Sequence, residues 1–105
     1  MSGKQTKNQS KGEKWRNEDS DKLFEAILSL KNKEEARNFF RDLLTESEII
    51  EFSQRWKAAR LLARGMSYSG ISRQTWLSSR TIARVQKWLK KGKDGYRLMI
   101  NRLYK

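Results

Sequence analysis

Residues 66–85, MSYSGISRQTWLSSRTIARV, carry two short helical patterns joined by one tight turn. Ile71 is an apolar anchor on the first helix, and the small Ser72 beside it lets two helices cross closely. Leu77 plugs the turn. Ser78 stands where a hydroxyl oxygen accepts a free N–H at the start of the second helix. Ile82 and Val85 then pin that helix to the rest of the domain. The spacing predicts a helix-turn-helix over about 67–89, with a second helix at 78–89. The other face of that helix holds Ser79, Arg80, Thr81, Ala83, Arg84 and Lys87. A helix buried on one side, with short polar and guanidinium groups on the other, suits the major groove of duplex DNA. Arginine pairs bidentately with guanine O6 and N7, and Ser and Thr hydroxyls reach bases or phosphates. These six residues are the candidate base readers.

One position departs from the pattern. Turns of this kind usually place glycine just before the plug, where the chain takes positive φ at little cost. Here that place holds Trp76. A bulky residue at positive φ is strained, so a longer or differently shaped turn is expected. Trp76 itself is expected either against the DNA backbone or packed at an interface.

Beyond the second helix, Trp88-Leu89-Lys90-Lys91-Gly92-Lys93 reads as a basic helix end with a glycine stop. Lys90, Lys91 and Lys93, with Ser67, Tyr68 and Ser78, are candidate phosphate contacts, which position a protein without reading sequence. Asp94 is expected to cap a final helix carrying Tyr96, Met99, Ile100, Leu103 and Tyr104. Upstream, Thr45 and Glu48 form a capping-box pattern. It opens a long helix through Ile49, Phe52, Trp56, Ala59 and Leu62, stopped by Gly65. Two earlier apolar patterns, Leu23 to Leu30 and Ala36 to Leu44, predict two more helices, the first capped by Ser20 or Asp21. Residues 1–19 are polar with one large apolar side chain, Trp15, and read as a disordered arm. Residues 20–105 are then one all-α domain of five to six short helices.

Charge divides the chain sharply. Residues 1–54 hold ten Lys/Arg against eleven Asp/Glu, whereas residues 55–105 hold fourteen against Asp94 alone, a net of +13. Such a field attracts polyanions and gives salt-sensitive binding to phosphate backbones. The chain has no cysteine and no histidine, which excludes disulfides, thiolate metal sites and imidazole chemistry. No apolar run approaches the roughly 18–20 residues of a membrane span, and no secretory signal pattern opens the chain. A cytoplasmic protein is expected, with no membrane partner. Glu46, Glu48 and Glu51 share one short helical stretch and are better explained by capping and solvation than by catalysis. The reading is therefore no enzyme, no catalytic residue, no metal and no cofactor.

Taken together, several segments resemble the Trp repressor superfamily and, within it, the YerC/YecD-like branch of small bacterial regulators. They are residues 21–30 (DKLFEAILSL), 39–45 (FFRDLLT), Gln54-Arg55, Ala59-Arg60, 81–85 (TIARV) and 92–96 (GKDGY). The resemblance spans about 80 of the 105 residues, all but the arm. It implies a transcriptional regulator, chiefly of the repressor kind, built as an intertwined homodimer with two helix-turn-helix heads. Such a dimer reads two half-sites ~34 Å apart on double-stranded DNA. In the Trp repressor proper, one arginine before the reading head and one on the recognition helix bracket the ligand's indole. Arg55 and Arg84 fall on those places and form a candidate effector pocket. The glycine that leaves room for the ligand is replaced by Val85, which argues against tryptophan; another small-molecule effector stays open but is not indicated.

The main alternative is a non-specific basic protein that binds RNA or associates with the ribosome. The sheet-borne aromatics or glycine-loop signatures of RNA modules are absent from the sequence. A second is an interaction module whose basic face takes an acidic protein.

Overall fold

Six helices fill the described residues, 13–104, of the computed structural model, and no strand occurs among them. They are α1 (Glu18–Leu28), α2 (Lys33–Leu43), α3 (Glu46–Ala63), α4 (Tyr68–Thr75), α5 (Ser79–Lys91) and α6 (Gly95–Tyr104). The fold is all-α, as the periodicity requires. Two compact units meet in sequence at Leu43/Leu44.

The first unit contains α1 and α2. Asn17, not Ser20 or Asp21, caps α1: its side chain accepts the Ser20 N–H at 2.9 Å, and the Ser20 hydroxyl accepts the Asn17 N–H at 3.0 Å. Ser20 thus takes the reciprocal role of a capping box, three residues into the helix. Glu18 and Asp19, read from sequence as the end of the arm, instead form the first turn of α1, where their charges suit the helix dipole. Residues 1–12 of that arm lie outside the described residues. Asn32 accepts the Glu35 N–H and Glu35 the Lys31 N–H at the start of α2. Neither helix contains a buried residue, and Leu28 is 84% exposed.

The second unit is organised by α3, against which α4, α5 and α6 pack. The Thr45–Glu48 capping box forms as expected, with the Thr45 hydroxyl accepting the Glu48 N–H and Glu48 accepting the Thr45 N–H. At its other end α3 closes in a Schellman motif: Gly65 N–H donates to Leu62 O and Met66 N–H to Leu61 O. Gly65 has φ +90°, which a residue with a Cβ takes only under strain. The core joins Ala58, Ala59 and Leu61 of α3 to Ile71 of α4 and to Ile82 and Val85 of α5. Two adjacent alanines let α4 and α5 approach α3 closely. Only the C-terminal half of α3 is buried, however. Phe52, expected on its packed stripe, is 45% exposed.

Helix α6 packs on α5 and α3 with no residue fully buried, and meets α3 through aromatic contact. The Tyr96 ring stacks on Trp56 at 6.2 Å, and Tyr104 lies 6.3 Å from the same indole. The Arg60 guanidinium sits over both Trp56 and Tyr104. Asp94 stands at the head of the helix, accepting the Leu98 N–H through its carbonyl, while its carboxylate pairs with Arg97.

Candidate nucleic-acid interface

The turn between α4 and α5 is three residues long, Trp76 to Ser78, and it is neither lengthened nor reshaped by its tryptophan. Trp76 takes the left-handed conformation itself, with φ 66° and ψ 9°, at a cost of about 1–2 kcal/mol for a residue with a Cβ. The expectation of an altered turn is corrected, and the reason is a set of bonds that specify this geometry. Trp76 N–H donates to Ser72 O at 2.8 Å. The Ser72 hydroxyl donates to Leu77 O at 2.9 Å, and the Thr75 hydroxyl accepts the Leu77 N–H at 3.2 Å while donating to Ile71 O at 2.8 Å. Two small hydroxyl residues thus satisfy both backbone groups of the plug. The sequence shows Ser72 as a small residue, but its role as a clamp, and that of Thr75, depends on how the turn folds.

Thr75 is the buried polar residue of this unit, so its hydroxyl bonds form away from water. Thr75→Val keeps the shape and deletes both. We expect a loss of about 1–2 kcal/mol, the typical cost of a buried donor left without its partner. Chemical denaturation should show a lower midpoint with an unchanged slope.

Helix α5 begins with Ser78, whose hydroxyl accepts the Thr81 N–H at 3.1 Å. Ile82, Val85 and Leu89 are buried along one stripe. On the opposite side Ser79, Arg80, Ala83, Arg84 and Lys87 are exposed, and Thr81 is half-buried. The six candidate base readers therefore lie within the first nine residues of α5, all but Thr81 open to solvent. Lys90, Lys91 and Lys93 are exposed at its C-terminal end. That end requires glycine at position 92, since a Cβ there would come within 2.5 Å of the Trp88 carbonyl oxygen. Ser67 and Tyr68 are exposed at the start of α4. The oxygens of Ser67 and Ser78 are both engaged as helix caps, which makes capping the first role of each. Exposed Arg73, on the last turn of α4, adds a cation that the motif alone did not single out.

The candidate effector pair is placed differently. Arg55 lies along its own helix, its guanidinium over the Phe52 ring and its Nε 4.0 Å from Glu51. Arg84 is exposed on α5. Val85, next to it, is 2% exposed and belongs to the core, so a side chain fills that place. Hollows on this unit include two beside α6. One of about 550 Å³ is lined by Trp56, Trp88, Gly92, Lys93, Gly95, Tyr96 and Met99. The other, of about 420 Å³, is lined by Arg60, Ala63, Arg64, Ile100 and Tyr104. Arg55 and Arg84 line neither. Among the described residues no group of His, Cys, Asp or Glu is arranged to hold a metal ion. None of their helices is long and apolar enough to cross a membrane.

The profile of the Trp repressor protein family matches residues 18–104. The uncharacterized protein YerC of Bacillus subtilis (strain 168) is 42% identical over 91 residues, covering 87% of this chain and 88% of its own. Among solved structures, a TrpR-like protein from Eubacterium eligens superposes with a TM-score of 0.83 at 41% identity, covering 86% of this chain and 93% of its own. A Trp-repressor-like protein from Staphylococcus aureus gives 0.83 at 39% identity, covering 90% and 95%.

Proposed function

The chain belongs to the Trp repressor protein family, and on that premise we propose that it is a sequence-specific transcriptional regulator, acting as a repressor, that reads the major groove with α5. The observation that carries this reading is the division of α5 itself. Ile82, Val85 and Leu89 fasten one side to the domain, and the other presents Arg80, Ala83, Arg84 and Lys87 on a helix without a single acid. Binding to DNA requires no bond-making chemistry, and the protein is a regulator rather than an enzyme.

The functional unit is a homodimer. Helices α1, α2 and α6 bury no residue within one chain, yet they carry large apolar side chains such as Phe24, Leu28, Leu43 and Leu103 at the surface. Isolated helices of this length are marginal in water, and exposed apolar surface of this extent marks a protein interface. A second copy covering it under two-fold symmetry is the commonest solution. Tryptophan is not the effector, because Val85 occupies the place where the indole needs room.

The test is selection of binding sites from random duplex DNA at near-physiological salt, with Arg84→Ala in parallel. A palindromic site, absent with the variant, is the expected result. Recovery of no motif, with equal binding by both proteins, would mean that the basic half only grips phosphates.

A further inference from the structure

Trp76 is 90% exposed, more than any other large hydrophobic side chain described. It also occupies the turn position where glycine would relieve the left-handed backbone. A side chain that is strained and unpacked does not stabilise the fold, which leaves contact with something outside the chain. Its surroundings indicate what that is. Arg73 precedes it by three residues and Arg80 follows by four, both exposed, in a half of the chain with a net charge of +13. The exposed indole thus stands, in sequence, between two exposed arginines at the turn joining α4 and α5, and a polyanion is the partner that such surroundings favour.

Resting on the DNA reading above, we propose that Trp76 is a docking residue for the sugar-phosphate backbone that walls the major groove. In a helix-turn-helix the first helix crosses that backbone and the second enters the groove. The turn joining them therefore lies where the chain passes from one to the other. There an indole can lay its apolar face on deoxyribose and donate its Nε1–H to a phosphate oxygen, an uncharged contact beside the charged ones. A contact to the backbone carries no sequence information. It also releases no counterion, because counterion release follows cationic side chains. These two properties distinguish Trp76 from its arginine neighbours.

The experiment compares the parent protein with Trp76→Gly and Trp76→Phe, titrated into two ~30-base-pair duplexes, long enough for two half-sites. One carries the selected site and the other is a scrambled sequence. Binding is followed across a salt series, and mass is checked by light scattering. Trp76→Gly is expected to melt a few degrees higher, because glycine relieves the left-handed backbone. It should bind both duplexes ~5–10-fold more weakly, with the slope of log K against log salt unchanged. Trp76→Phe should recover part of the loss through its apolar face. Unchanged affinity in Trp76→Gly overturns the proposal. So does a loss confined to the selected site, which would make Trp76 a base reader, or a change in oligomeric mass, which would make its partner another protein. Failure of the parent to bind either duplex would defeat the DNA reading itself, a result separable from all of these.

Discussion

Ile82→Ala will destabilise the α3–α6 unit by about 3 kcal/mol, within the 2–5 kcal/mol range of such truncations. Ile82 is fully buried, and the cluster around it draws on α3, α4 and α5. Alanine removes three carbons from a site whose neighbours are fixed by separate helices, so collapse around the cavity is limited. The effect is large because the core is small: the cluster holds six buried side chains, and domains of this size are stable by only about 5–15 kcal/mol. Urea unfolding followed by circular dichroism should show a lower midpoint at fixed protein concentration. That control is needed because self-association shifts apparent stability. A change below about 0.5 kcal/mol would mean that Ile82 does not fasten α5 as described. DNA binding should weaken only as far as the folded fraction falls.

Arg84→Ala should behave in the opposite way. Its side chain is exposed, so stability should change by less than about 0.5 kcal/mol. Affinity for the selected duplex should fall by about 1–3 kcal/mol per half-site, or ~5- to 150-fold. In a symmetric dimer the substitution acts at both half-sites, and well-separated effects add. On a scrambled duplex, where the guanine edge is absent from its place, the loss should be much smaller. Lys91→Ala provides the contrast. Removing a phosphate-binding ammonium from the end of α5 should weaken binding to both duplexes alike and reduce the salt slope by about one. If Arg84→Ala and Lys91→Ala give the same pattern, α5 grips DNA without reading it.

Local chemistry explains how much of this was legible beforehand. Thr45 with Glu48, Gly65 and Ser78 act within four or five residues of their own chain, and each forms the cap that its type and spacing imply. The alternation of Ile82 and Val85 with Arg80, Ala83 and Arg84 likewise survives folding, because a helix converts spacing directly into faces. The first helix was less legible. Asn17, Ser20 and Asp21 are all acceptable caps, and residue type alone does not choose among them.

What the sequence by itself determined is the set of helices, the position of the helix-turn-helix and the sign of the charge around it, since capping, periodicity and charge are properties of neighbouring residues. Only the tertiary structure decided which half of α3 is buried, that Val85 fills the core beside Arg84, and that Trp76 sits left-handed and exposed. The intrinsic preference of tryptophan runs against that backbone. It is overridden because α4 and α5 must both meet α3, and Ser72 and Thr75 clamp the three-residue turn that lets them do so. Packing between elements is a property of the assembled unit, and no single stretch of chain contains it.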